Sequence, residues 1–107
     1  MITLPAPVAN YLAADKAKDP ERVARCFTTD ARVHDEDKDY RGTAAIKSWK
    51  QDSNAKYEYT VEPLDASILN DTVHLRARLS GTFPNSPVEL NYTFKLADDK
   101  IAEMSIG

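Results

Sequence analysis

The sequence predicts an α+β fold, with three helices at the N-terminal end covering one face of a strongly curved, mostly antiparallel sheet. Three observations lead there. As far as about residue 53, apolar residues recur three and four apart, the spacing of a helix face. After about residue 56 they alternate almost to the end, the spacing of half-buried strands. The alternating runs are separated by "NDT", "PNSP" and "ADDK", short Asn-, Asp- and Pro-rich stretches that make hairpin turns.

Residues 5–18 open with prolines, which a first helical turn tolerates, and continue with Val8, Tyr11 and Leu12 on one side, giving helix one. "DPERVARCF" begins with Asp19 as N-cap and Pro20 at the first helical position, and Val23 and Phe27 four apart extend helix two to the phenylalanine. "ARVHD" is a brief strand with Val33 and Asp35 on one face and His34 on the other. "GTAAIKSWKQDS" is helix three, carrying Ile46 and Trp49 on a narrow apolar stripe. Four strands follow. Tyr57, Tyr59 and Val61 share a face of the first, in which Pro63 marks a bulge or an edge position. Val73, Leu75, Ala77 and Leu79 face inward from the second against His74, Arg76 and Arg78 outside. Leu90, Tyr92, Phe94 and Leu96 do so from the third, and "IAEMSIG" supplies the fourth. Helices capping a curved sheet enclose a cone, a common form of ligand pocket.

The 107 residues suit one domain, 1–107. No stretch approaches the roughly 20 apolar residues of a membrane span. With 14 basic against 17 acidic side chains, the net charge of -3 offers no footprint for nucleic acid or an anionic membrane. Cys26 is the only cysteine, so no internal disulfide forms, and "MITLPAPVANYL" has neither a basic nor a long apolar leader segment. A cytoplasmic location is the expectation.

The segment "DARVHDEDKDYRGTAAI", residues 30–46, concentrates acids around one histidine. Asp35, Asp37 and Asp39 alternate as in the first half of a calcium loop, but Tyr40 stands where that loop needs glycine and Ile46 where it needs its closing glutamate. Zinc lacks ligands, since His34, His74 and Cys26 are the only His and Cys side chains. No metal is therefore expected, and Glu36, Asp37, Lys38 and Asp39 read as a solvated turn. Asp35 differs, because it shares the core side of its strand with Val33. An inward carboxylate costs free energy unless it is paired, hydrogen-bonded or neutral. It either serves chemistry or is a satisfied buried acid, paired for example with Arg41.

These residues resemble the N-terminal half of the SnoaL-like polyketide cyclase and ketosteroid isomerase group, within the nuclear transport factor 2-like superfamily. Tyr11, Lys18 and Asp19, Phe27, the run Asp30 to Asp35, and Gly42 to Ile46 carry the likeness. The resemblance implies a cone-shaped α+β barrel of the cystatin-like, nuclear transport factor 2-like kind. It also implies a proton shuttle without cofactor. By likeness to the isomerases, Asp35 is the general base and Tyr11 donates a hydrogen bond to the enolate oxygen. The second donor, in the isomerases a carboxylic acid kept protonated by its apolar site, falls on Tyr92, counted back from Phe94. That substitution is a departure, although a neutral phenol can also donate. Val33, Trp49, Tyr57, Tyr59 and Phe94 are expected to bind substrate, with Tyr92 or Tyr59 as the helper to Tyr11.

The expected ligand is a small apolar or carbonyl-containing molecule, and the reaction is isomerisation or aldol cyclisation. The alternative is a non-catalytic ligand-binding or association module on the same fold. Epoxide hydrolysis, known among relatives, needs a second inward acid that the pattern does not place. His34, of opposite parity to Asp35, is expected outside the cavity. Relatives pair through the sheet, so a homodimer with a wet, polar interface is expected.

Overall fold

The computed structural model describes residues 3–107. Helix α1 spans Ala6–Lys16, α2 Pro20–Arg25 and α3 Thr43–Lys56. The strands are β1 Phe27–Asp35, β2 Lys38–Arg41, β3 Tyr59–Leu69, β4 Thr72–Gly81, β5 Val88–Ala97 and β6 Lys100–Ile106. They form one six-stranded sheet in the order β2-β1-β6-β5-β4-β3. Its pairings are antiparallel except that β1 runs parallel to β6.

The α+β expectation holds, and local chemistry explains the elements. Asp19 caps α2 by accepting the Arg22 backbone N–H at 3.2 Å, and Pro20 follows where a missing N–H costs nothing. On β4, Val73, Leu75 and Ala77 are buried while His74, Arg76 and Arg78 are exposed, the period of two on which the strand reading rested. The β3–β4 register slips between Pro63 and Asp65, so the bulge is real, and β3 is also an edge of the sheet. Val8 and Tyr11 of α1, Val23 of α2 and Ile46 of α3 join Leu75, Phe94, Ile101 and Met104 of the sheet in one buried cluster. That cluster holds the helices against the concave face.

Two expectations are corrected. Helix α2 stops at Arg25, with Cys26 at its C-cap, and Phe27 opens β1 instead of closing the helix. Buried Phe27 meets the Tyr11 ring edge-on, with centroids 5.9 Å apart, and so belongs to the core whichever element carries it. The four residues read as a solvated turn also divide. Only Glu36 and Asp37 make the turn, both with positive φ as a two-residue type I′ hairpin requires, while Lys38 and Asp39 run on into β2. This short polar strand has no apolar alternation to announce it, which suits the edge it occupies.

Glycine is required at Gly81. A Cβ there would lie 2.1 Å from the Glu58 carbonyl oxygen and 2.7 Å from the Tyr59 Cα, so β4 can pass the start of β3 only without a side chain. No helix among the described residues is long and apolar enough to cross a membrane.

Candidate functional site

Between the helices and the concave face of the sheet lies a cavity of about 1020 Å³, open to solvent at one end. Asp35, the last residue of β1, stands in its wall. One carboxylate oxygen accepts the indole N–H of Trp49 at 3.1 Å. Arg41 is not its partner: it sits opposite Arg32 in the β1–β2 ladder and is exposed. Burial raises the Asp35 pKa above the ordinary aspartate range. The Trp49 hydrogen bond opposes that rise, neighbouring Glu36 adds to it, and the Lys50 charge moderates it.

The inner end of the cavity holds an ion pair that the sequence reading did not anticipate. Asp15 lies one helical turn beyond Tyr11 on α1, and Lys50 one turn beyond Ile46 on α3; both face inward, 7% and 2% exposed. Lys50 Nζ donates to Asp15 Oδ1 at 2.8 Å, to the Tyr59 hydroxyl at 3.1 Å and to the Tyr11 hydroxyl at 3.3 Å. Tyr59 in turn donates to Asp15 Oδ1 at 2.9 Å. The Lys50 ammonium also lies 4.3 Å from the Trp49 ring centroid, where the π face favours it. A signal for both residues exists in hindsight, since each continues an apolar stripe at a spacing of four.

Tyr92, on β5, is buried and borders the same space, and its hydroxyl has no side-chain hydrogen bond among those of the described residues. Burial and the Asp15 charge push the phenols of Tyr11, Tyr59 and Tyr92 well above the usual tyrosine range. All three stay neutral and keep a proton to donate. The charge of Asp35 contributes to each shift, which places the carboxylate in electrostatic reach of all three.

Of the residues expected to bind substrate, Trp49, Tyr57 and Tyr59 line the cavity, as do Asp35, Tyr11 and Tyr92. Val33 and Phe94 do not. Both are fully buried in the core, where Phe94 stacks on Tyr92 at 5.9 Å and supports the cavity from behind. Three further residues form its outer part. Tyr40 of β2 faces Trp49 at 6.0 Å between ring centroids, and Phe83 meets Tyr57 at 6.2 Å. His34 borders the opening, while its ring pairs at 2.8 Å with Asp39, its neighbour across the β1–β2 ladder, on the side of the strand that parity assigns it. No group of three or more His, Cys, Asp or Glu side chains among the described residues is arranged to hold a metal ion.

Comparison with known proteins agrees with this geometry. The family model of the SnoaL-like domain matches residues 8–104. The chain belongs to that family. A candidate polyketide cyclase from Sinorhizobium meliloti is 36% identical to this SnoaL-like domain, with a TM-score of 0.94 over 97% of this chain and 95% of that one. SalBIII, an epoxide hydrolase/cyclase-like enzyme with a role in pyran ring formation in the polyether salinomycin, is 25% identical, with a TM-score of 0.80 over 94% and 85%. A protein with a ketosteroid isomerase-like fold from Catenulispora acidiphila, solved in complex with trimethylamine, shares the fold at 20% identity, with a TM-score of 0.88 over 98% and 86%. Among curated proteins none matches. Asp15 is a second buried acid in this SnoaL-like domain, but it lies behind the cavity lining and is paired with Lys50.

Proposed function

We propose that the cavity binds a small, neutral carbonyl compound and that Asp35 moves a proton on the carbon next to the carbonyl, without a cofactor. The observation that carries this reading is the state of Asp35. It is a half-buried carboxylate in a cavity wall whose one side-chain hydrogen bond among the described residues comes from a neutral indole, so burial raises its basicity and no cation in contact quenches it. The nearby cation cannot quench it by contact, since Lys50 is already bound to Asp15 and two phenols.

In the proposed step the Asp35 carboxylate takes the α proton and becomes a carboxylic acid. The C–H electron pair forms the enolate, whose oxygen accepts hydrogen bonds from Tyr11 and Tyr92. In isomerisation Asp35 returns the proton to a different carbon. In aldol cyclisation the enolate carbon attacks a second carbonyl of the same molecule, and the Asp35 proton passes to the new alkoxide. Trp49, Tyr40 and Tyr57 offer aromatic surface to a flat substrate at the cavity opening. The likeness to a candidate polyketide cyclase at 36% identity supports cyclisation over isomerisation.

The test is an NMR pH titration of the Asp35 carboxyl with and without a small phenol as enolate mimic, repeated in Asp35→Asn. The expected result is a midpoint above the ordinary value of about 3.9 that moves when the phenol binds. An ordinary midpoint with no phenol binding would leave the cavity as a ligand module without turnover. The proposal extends to a homodimer formed through the outer sheet face. Arg76 and Arg78 already pair there with Asp65, Glu62 and Glu89 of the same chain, which suits a wet contact. Sedimentation velocity at micromolar concentration distinguishes dimer from monomer.

A further inference from the structure

Three phenols crowd the inner end of the cavity, and the Lys50–Asp15 pair decides which of them can serve a ligand. An ammonium group only donates hydrogen bonds and a carboxylate only accepts them. Lys50 therefore offers its protons to the oxygens of Tyr59, Tyr11 and Asp15, and all three of its N–H groups are occupied. Its nitrogen has no lone pair to spare, so it is not placed as a nucleophile. Tyr59 receives from Lys50 and must send its own proton to Asp15, as the 2.9 Å contact records. Tyr11 also receives from Lys50, yet its proton has no acceptor among the described residues, and its side chain borders the cavity.

We propose that Lys50 is the positioning residue of this site: by filling the oxygens of Tyr11 and Tyr59 while Asp15 claims the Tyr59 proton, it makes Tyr11, and not Tyr59, a charge-backed donor to the ligand oxygen. The inference rests on the carbonyl-binding reading given above and sharpens it. A phenol whose oxygen accepts from a cation is a stronger donor, because successive hydrogen bonds polarise one another. Lys50 has a second effect at the same place. It cancels the charge of Asp15, which would otherwise stand behind Tyr11 and repel an enolate. The ligand class follows: an oxygen that gains negative charge on binding or reaction, such as a ketone becoming an enolate. A free carboxylate is disfavoured, since no uncommitted cation awaits it at the inner end of the cavity among the described residues.

The experiment measures binding of substituted phenols of graded acidity to the full chain carrying Asp35→Asn, a background in which the outcome does not depend on Asp35 as a base. Absorbance gives the fraction of bound phenol that is ionised, a quantity that a purely structural role would not change. Tyr11→Phe is expected to weaken phenolate binding about tenfold or more, and Tyr59→Phe by less than about twofold. The neutral pair Lys50→Met with Asp15→Asn, which leaves no unpaired buried charge, is expected to lower the ionised fraction and the affinity about 5- to 10-fold. Lys50→Met alone should lower them further wherever Asp15 stays ionised, because the carboxylate then repels the ligand, and should match the neutral pair at a pH where Asp15 takes up a proton. Equal ionised fractions with and without the pair, in proteins whose circular dichroism matches, would overturn the proposal, as would an equal loss in Tyr59→Phe and Tyr11→Phe. Absence of any phenol binding overturns it too. An ordinary Asp35 titration alongside these expected losses would refute the proton-transfer reading and leave the Lys50 assignment standing.

Discussion

Replacing Lys50 with methionine removes a cation from a place where its partner cannot reach water. The Asp15 side chain is 5% exposed and that of Lys50 2%, so the variant strands a carboxylate inside the protein. Breaking a buried pair from one side costs about 3–5 kcal/mol. An upper limit follows from the cheapest escape, which is for the aspartate to bind a proton. From an ordinary value of about 3.9, at about 1.36 kcal/mol per pH unit, that escape costs about 4 kcal/mol at pH 7 and about 1.5 at pH 5. Lys50→Met should therefore lose about 3–4 kcal/mol at neutral pH, and most of the loss should vanish as the pH falls toward 4. Lys50→Met combined with Asp15→Leu restores neutrality and should recover the greater part at pH 7, leaving mainly the hydrogen bonds once made to Tyr11 and Tyr59. Urea unfolding of the single and double variants at pH 7 and pH 5 completes the measurement. For a domain of this size each kcal/mol moves the melting temperature by about 4–8 °C, so the single variant should melt more than about 12 °C lower. Equal losses in single and double variants, or a loss independent of pH, would refute the argument.

Three other outcomes follow from the structure. Asp35→Asn should raise thermal stability at pH 7. A carboxyl whose folded pKa is raised contributes stability below its unfolded value of about 3.9 and loses it as the pH rises, so the gain should disappear near pH 4 in melts across that range. Trp49→Phe keeps an aromatic ring but removes the N–H that favours the Asp35 charge, and the NMR titration midpoint of Asp35 should move further upward; a downward move would contradict the hydrogen bond. Gly81→Ala should cost more than about 2 kcal/mol in denaturant unfolding, because its Cβ meets backbone at the start of β3, and it should disturb the amide resonances of Tyr59.

Much of the scaffold was legible because it obeys short-range rules. The alternation of Val73, Leu75 and Ala77, the cap at Asp19 and the bulge after Pro63 each follow from a few neighbouring residues, and each appears in the structure. What escaped is set by distant contacts. Phe27 satisfies helical spacing from Val23 equally well, and only pairing of β1 with β6 decides that it is strand. Lys38 to Arg41 have no apolar period, so β2 exists through its register with β1. At the site, the inward parity of Asp35 was readable beside Val33, whereas Lys50 and Asp15 are 35 positions apart and look like ordinary surface charges until α1 and α3 converge. The same nearness to the cavity misled for Val33 and Phe94, because period two gives the inner side of a strand and not whether a void or another side chain lies there.

The parallel pairing of β1 with β6 has a consequence for how the sheet is assembled. The hairpin that bears Asp35 joins the rest of the sheet through Lys100–Ile106, a strand only seven residues long and some 65 positions further along the chain. Without those residues the β3–β4–β5 meander still has all of its own pairings, yet β1 has no ladder joining it to that meander. Closure joins ends of the chain far apart in sequence, a slow class of event. The candidate base is thus fixed in place only when β6 has paired on both sides, with β1 and with β5.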